Sequence, residues 1–426
     1  MNDNMGLEMM ELNQTKESFW KKHKFGVGIV SGIIAVVLIL TIVFAVGYIY
    51  IVTKGVTLVI GGNNGLLNKE SVNKLNTLQY YMDSYYYEDY EIEDIIDSMY
   101  KGVMEGLDDP YSVYYTKEEY IDSQISTSGV YYGIGAGLSQ DVKTMEVTVS
   151  KVYRGTPSEE AGLLNGDKII KVNDIEATSM ELSDLVQQIR GEEGTIIHLQ
   201  VYRESTDEML EFDVERRKVV LPSIEGEMLE DGIGYIQITD FQKETAKQFE
   251  AMVSDLTAQG MKGLIVDVRA NPGGYLNVVR DILDMVLPKG LLVYTEDKNG
   301  NRQELFSDAS CIEIPMVVLI DENSASASEI FAGAIKDYNW GTLVGTTTFG
   351  KGIVQNVIPF PSGDAIKLTT SKYFTPNGNY IHGVGIEPDV VIEYEYSGPT
   401  DQPYEKQYDN QFQKAVEVLK EKLANE

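Results

Sequence analysis

Pro315-Met-Val-Val-Leu-Ile320, then Asp321-Glu-Asn-Ser324-Ala-Ser326-Ala-Ser328-Glu329, then Ile330-Phe-Ala-Gly-Ala-Ile335 follow one another without a break. They read as an apolar strand, a polar turn carrying a cluster of small residues, and a helix. A short run with no polar interruption suits a strand buried on both faces, as in a sheet covered by helices. The same order stands upstream in Gly263-Leu-Ile-Val-Asp-Val-Arg269, Ala-Asn271-Pro-Gly273-Gly274, and a helix with Leu276, Val279, Leu283 and Val286 on one side. Ile233–Ile238 reads as a further strand, and Ala246, Phe249, Val253 and Leu256 mark one face of a helix stopped at Gly260. Alternating strands and helices imply an α/β core with parallel strands, assigned to residues 219–395. In open sheets of this kind ligands lie outside the carboxyl ends of the strands. The Asn271–Gly274 turn and the serine cluster both stand there.

Residues 128–218 form a different unit. Gly133-Ile134-Gly135 leads into an apolar strand, and glycines this dense let backbone N–H groups converge on an anion. The spacing is not that of a dinucleotide loop, and no Lys-Ser/Thr follows. Thr156, Pro157 and Glu159 read as an N-cap, first residue and capping box of a short helix. A Thr178/Glu181 capping box opens another helix carrying Leu182, Leu185, Val186 and Ile189 to a stop at Gly191, and strands Ile196–Tyr202 and Met209–Val214 close the unit. This order resembles a PDZ domain. The resemblance places Gly133, Ile134 and Gly135 in the carboxylate-binding loop and the helix along a groove that takes a C-terminal peptide by strand addition.

Ahead of it, residues 65–127 read as a small helical domain. Leu67, Val72, Leu75 and Leu78 form one helical stretch, and Ile92, Ile95, Ile96, Met99, Val103 and Leu107 a second, halted by Gly106 and Asp108-Asp-Pro-Tyr111. Its many tyrosines suit packing and interfaces. Further upstream, Phe25 to Val52 contains no charged residue. As a helix it spans ~40 Å, enough to cross a ~30 Å hydrocarbon core. Residues 25–53 are therefore expected to be a single membrane anchor. Lys16, Lys21, Lys22 and Lys24 precede it, so residues 1–24 are expected in the cytoplasm and the remainder outside. The alternative is a cleaved signal peptide, for which the run is long. Residues 396–426 read as a polar linker and an amphipathic helix whose face Phe412, Val416, Leu419 and Leu423 needs a partner.

Composition narrows the chemistry. With 66 acidic against 35 basic residues the net charge is -31, which repels nucleic acid. The single cysteine, Cys311, excludes an internal disulfide and a cysteine-based zinc site, and three scattered histidines make a histidine-rich metal site improbable. A Ser-His-Asp triad needs a histidine near the serine cluster. His23 precedes the apolar run, His198 sits in the PDZ-like unit, and His382 lies in a turn-rich stretch of the core. A lysine base is the more economical choice, and Lys351 stands in Phe349-Gly-Lys351-Gly352. To accept a proton its pKa must fall from ~10.4 toward neutrality, which burial achieves. The neighbouring glycines and Phe349 allow that burial, and Gln355 is placed to hydrogen-bond the amine. Ser324, Ser326 and Ser328 all remain candidate nucleophiles on this reading.

Gly263–Gly274, Ser324–Ala334 and Thr348-Phe-Gly-Lys-Gly-Ile-Val-Gln355 together resemble the carboxyl-terminal processing (tail-specific) protease family of serine peptidases, and the likeness runs from about residue 70 to about 392. Gly383–Asp389 is similar to that family's closing motif. The resemblance implies a ClpP/crotonase-like core with an inserted PDZ domain. It implies Ser326 as nucleophile, Lys351 as base, Gln355 as lysine orienter, and an oxyanion hole from Ala327 and the Gly273-Gly274 pair. Asp337 falls where some members carry an aspartate, and here it reads as structural. The expectation is a membrane-anchored endopeptidase without cofactor or metal, acting outside the cell membrane on proteins with free C-terminal tails. The resemblance also implies self-association through terminal segments. The alternative is a catalytically silent PDZ scaffold at the membrane surface.

Overall fold

The structure is a computed structural model and describes residues 65–308, 310–399 and 402–425. The expected cytoplasmic segment and the apolar run Phe25–Val52 lie outside the described residues. Among the described residues no helix is long and apolar enough to cross a membrane. The chain divides into two compact units, Met1–Glu91 and Ile92–Glu426.

In the first unit, α1 (Lys69–Tyr85) begins later than the leucine spacing alone suggests. Asn68 sets the start: its side chain accepts the N–H groups of Glu70 and Ser71, while the Ser71 hydroxyl accepts the Asn68 N–H. None of the residues of α1 is buried, and Tyr80, Tyr81 and Tyr85 are exposed.

The second unit opens with α2 (Ile92–Glu105), a strand β1 (Val113–Tyr115) and α3 (Lys117–Ser128). Helix α3 is delimited by a Thr116/Glu119 capping box and a left-handed Gly129. Next come β2 (Val130–Gly133), β3 (Ala136–Gln140), β4 (Val147–Val152), α4 (Pro157–Ala161), β5 (Lys168–Val172), β6 (Ile175–Glu176), α5 (Leu182–Ile189), β7 (Ile196–Arg203), β8 (Glu208–Glu215) and β9 (Arg217–Val220). Strands β3, β4, β5, β7 and β8 lie in that order in an antiparallel sheet with β6 on β5. Strands β2 and β9 pair as a two-stranded stem that carries this domain in and out of the chain. Its core gathers Ile134, Val147, Val149, Ile169, Leu185 and Ile197. Two expected caps are formed differently. The Thr156 hydroxyl donates to the carbonyls of Gly135 and Tyr153 instead of capping α4, and the Glu159 carboxylate accepts the Gly155 N–H. Helix α5 starts after Glu181 because Ala177–Ser179 closes first as a 3-10 turn.

The core follows as β10 (Ile224–Met228), β11 (Ile233–Ile238), α6 (Thr245–Ala258), β12 (Gly263–Asp267), α7 (Leu276–Val286), β13 (Gly290–Asp297), β14 (Arg302–Ser307), β15 (Met316–Ile320), α8 (Ala327–Asp337), β16 (Thr342–Gly345), β17 (Ile353–Pro359), β18 (Ala365–Phe374), β19 (Val390–Val391) and α9 (Asn410–Ala424). The principal sheet has the order β10-β11-β12-β15-β16-β19, antiparallel at its first pair and parallel thereafter. Side-chain alternation sorts its two faces. Ile236, Ile238, Leu264, Val266, Val318 and Ile320 meet α6, α7 and α8. Tyr235, Ile265, Val317, Leu319 and Val344 meet Phe412, Ala415 and Leu419 of α9. The unpartnered face expected of the terminal helix is therefore covered by the sheet of its own chain. Each fully buried leucine or phenylalanine there contributes about 1.5–3 kcal/mol. The start of α9 is fastened by buried charge: the Arg269 guanidinium joins Asp267 at 2.7 Å and the N-cap residue Asp409 at 2.9 Å.

A second, antiparallel sheet runs β1-β18-β13-β14, with β17 paired to β18. Strand β1 belongs to the end of the helical segment, yet it is hydrogen-bonded to β18 about 250 positions later, Val113 opposite Lys367. That pairing brings the Asp108–Ser112 turn to the loop containing Lys351.

Candidate active site

Ser326 occupies the sharp turn between β15 and α8, with φ 55° and ψ −111°. A non-glycine residue in this region is strained, and such strain is held only where surrounding contacts over-determine it. Four hydrogen bonds do so. The Ala325 N–H donates to the Asn271 carbonyl, the Ser326 N–H to a Glu329 carboxylate oxygen at 2.8 Å, the Ser328 hydroxyl to the Asn271 carbonyl, and the Tyr373 hydroxyl to the Ser326 carbonyl. The three serines are not equivalent. Ser324 and Ser328 are fully buried, with hydroxyls given to the Val268 and Asn271 carbonyls. Ser326 is partly exposed, and its Oγ donates to no acceptor among the described residues.

The Asn271–Gly274 turn lies directly against Ser326. At Gly273, φ is +109°, and a side-chain Cβ there would meet Ser326 Cβ at 2.8 Å and the Ala327 nitrogen at 2.9 Å; at Gly274, φ is +143° and a Cβ would strike the Phe241 carbonyl at 2.3 Å. Only glycine permits this approach. The Gly273 N–H is already given to Asn271 Oδ1 at 2.8 Å. The Gly274 and Ala327 N–H groups have no hydrogen-bond acceptor among the described residues, and Ala327 is the first residue of α8, whose opening N–H groups lack partners within the helix. These two amides are free to hold a developing oxyanion.

The loop bearing Lys351 hangs on the serine turn. The Phe349 N–H donates to the Ser324 carbonyl at 3.0 Å. The fully buried Glu329 carboxylate takes the Gly350 and Thr348 Oγ1 donors on one oxygen, at 2.7 and 2.6 Å, and the Lys351 and Ser326 N–H groups on the other, both at 2.8 Å. One carboxylate thus sets the register of both backbones. Thr348 Oγ1 also accepts the Ile386 N–H, which attaches the Gly383–Asp389 segment.

The Lys351 ammonium makes no hydrogen bond or salt bridge among the described residues, including to Ser326 Oγ. It lies over the face of the Tyr111 ring, with Nζ 4.7 Å from the centroid. Burial pushes its pKa down, assisted by the Lys367 charge and opposed by Glu329 and Asp109. Phe349, expected to shield it, is exposed; the shielding comes from Tyr111. Gln355 gives its amide to Thr369 Oγ1 at 3.4 Å and not to Lys351. His382 is exposed, and its Nδ1 accepts the Gly352 N–H at 3.3 Å. Asp337 accepts the Asn377 N–H, a structural bond at the end of α8.

In the PDZ-like domain, Gly133 ends β2, Ile134 is buried with its carbonyl accepting the Ser158 N–H, and the Gly135 carbonyl accepts from Thr156 and Tyr153. Helix α5 packs beside β3 with Leu185 and Ile189 inward.

Glu329, Asn271 and Tyr111 have roles here that spacing does not reveal. A lone charge among the small and apolar residues Ala327–Ile335 is the one signal that marks Glu329. The turn formers at Asp108–Ser112 marked only the end of a helix.

Residues 232–392 match Peptidase family S41, and residues 148–203 match a PDZ domain. The first span holds Gly273, Gly274, Ser326, Lys351 and Gln355; the Gly133–Gly135 loop precedes the second. The chain is 33% identical over 352 residues to the carboxy-terminal processing protease CtpA of Bacillus subtilis, covering 80% of this chain and 75% of that one. It is 33% identical over 360 residues to CtpB of the same organism, covering 82% and 75%. With a probable CtpA-like serine protease of Staphylococcus aureus it shares 32% identity over 387 residues, 90% of this chain and 75% of the other.

Proposed function

The chain belongs to peptidase family S41 as a serine-type C-terminal processing peptidase with a PDZ domain, and on that premise we propose that Ser326 is its nucleophile and Lys351 its general base. Ser326 Oγ attacks the scissile carbonyl while Lys351 takes the hydroxyl proton, and the same proton then passes to the leaving amine. The Ala327 amide and an amide of the Gly273-Gly274 pair stabilise the oxyanion, Gly274 being the one whose N–H is free. Gln355 orients the amine once Lys351 turns from Tyr111 toward Ser326, since apo sites often align only with substrate present. The observation that carries this reading is the buried Glu329 carboxylate accepting backbone N–H groups of both Ser326 and Lys351.

The PDZ domain captures a C-terminal tail through Gly133, Ile134 and Gly135 and delivers the upstream chain to Ser326. The apolar run Phe25–Val52, with lysines before it, tethers the enzyme with its catalytic domain on the extracytoplasmic face. Substrates are therefore exported or membrane proteins with free tails.

Phosphonylation by a fluorophosphonate, in which Oγ displaces fluoride from phosphorus, tests the chemistry directly. The adduct is expected on the Ser326 peptide. Because burial lowers the Lys351 pKa, the neutral amine accumulates at a pH below that of an ordinary lysine, and the labelling rate should rise with pH through that lowered value. Label on another serine, or a rate flat across the range, would remove the assignment. For tail capture, a peptide ending in a free apolar carboxylate should be cleaved with a lower KM than its amidated twin. Equal KM values would remove the PDZ domain from delivery.

A further inference from the structure

The Asp108–Ser112 turn is built as a rigid mount for one ring. Asp109 accepts the Tyr111 N–H at 3.1 Å and the Ser112 hydroxyl, and Ser112 Oγ accepts the Thr369 N–H at 3.0 Å. The β1–β18 pairing continues immediately beyond it. The mount presents Tyr111 to Lys351, whose Nζ stands 4.7 Å from the ring centroid.

The surroundings of that ammonium supply little else. Lys367 on β18 repels it. Glu329 on α8 has both oxygens committed to four donors, and Asp109 has its oxygens on Tyr111 and Ser112. From the turn after β18, His382 has Nδ1 on the Gly352 N–H. No carboxylate lies within salt-bridge distance of Lys351 Nζ among the described residues. A carboxylate there would hold the lysine protonated and useless as a base. An aromatic face attracts the cation through its quadrupole, has little hold on the neutral amine, and takes no proton.

We propose that Tyr111 is a positioning residue for the base, its ring seating the Lys351 ammonium that forms when Ser326 gives up its proton. The seat is vacated when that proton leaves with the amine product. This rests on Lys351 being the base, and the test separates the two failures.

The ring favours the charged lysine, so its removal lowers the pKa at which the neutral base appears. In the full-length protein, the pH dependence of fluorophosphonate labelling and of kcat/KM is measured for wild type, Tyr111→Leu, Tyr111→Phe and Tyr111→Trp. The rising limb of Tyr111→Leu is expected at lower pH by roughly 0.4 to 1.5 pH units, the range set by cation–π strengths. Tyr111→Phe keeps the ring and should track wild type. Tyr111→Trp, with the stronger face, should move the limb to higher pH. KM should change less than kcat. A Tyr111→Leu limb coincident with wild type overturns the proposal, as does a Tyr111→Phe limb displaced as far as that of Tyr111→Leu. If Tyr111→Leu does not fold, the direction of the Tyr111→Trp limb decides: basic supports, unmoved or acidic overturns. Lys351→Ala that still labels with the wild-type limb would show instead that the base is another group.

Discussion

Ser326→Ala is expected to lower kcat on an unfolded protein substrate by on the order of 10⁴-fold or more, and Lys351→Ala by a comparable factor, since nucleophile and base act as one unit. Neither change should cost stability. Ser326 Oγ donates to no acceptor, and the Glu329 N–H that it faces is already given to the Ser326 carbonyl, so its removal orphans no partner, and the strained turn is held by backbone and neighbouring groups. Lys351 surrenders only the ring contact with Tyr111, while the desolvation of its ammonium is relieved. Activity and thermal unfolding measured side by side should therefore separate completely: activity lost, Tm retained. His382→Ala is the necessary companion. Its Nδ1 holds one backbone N–H of the Lys351 loop, so a reduction of about tenfold or less is expected from loosened positioning. Activity that survives in Lys351→Ala and vanishes in His382→Ala would transfer the base to the histidine. Equal cleavage by wild type and Ser326→Ala would dismiss the nucleophile.

Glu329→Gln should damage both stability and rate. The carboxylate has two acceptor oxygens and receives two donors on each. A glutamine keeps one oxygen, and its NH₂ turns donors toward donors. Two buried N–H or O–H groups are then left without acceptors, at about 1–3 kcal/mol each, so a loss of roughly 2–6 kcal/mol in unfolding free energy follows. The Ser326 turn and Lys351 loop would also lose their common anchor. A displacement of about 1 Å at a reacting group costs on the order of 10²-fold in rate. Denaturant unfolding reads the first effect, and fluorophosphonate labelling under folding conditions reads the second. Unchanged labelling in a destabilised Glu329→Gln protein would mean that Glu329 supports the fold but leaves the register of the two loops to other contacts.

The core was legible because its signals are local. Met316–Ile320 is apolar without interruption since both faces of β15 are covered, and the small residues after it are what a tight strand-to-helix turn against Gly273 requires. The end of α6 near Gly260, the strand Ile233–Ile238 and the turn at Asn271–Gly274 were readable for the same reason. The start of α1 and the caps of α4 and α5 were less so. Asn68 and Thr156 choose among several nearby acceptors and donors, Glu181 makes no cap bond, and these outcomes depend on packing that spacing does not encode.

Among the three serines, residue type alone could not discriminate, because each is a serine with an alanine beside it. Burial discriminates: Ser324 and Ser328 spend their hydroxyls on carbonyls 56 and 57 positions away, and Ser326 does not. The partner of the terminal helix was equally invisible, being a sheet face assembled from five separate strands. Tyr111 is the extreme case. Its chain position says only that a helix has ended, and its place on Lys351 arises from Ser112 meeting Thr369 across 257 residues. Residue type and periodicity are enough to specify strands, helices and the chemistry they carry, since those depend on neighbours within a few positions. Which serine stays free, where the lysine rests and what covers α9 depend on contacts between segments far apart in the chain, and those exist only once the whole core has closed.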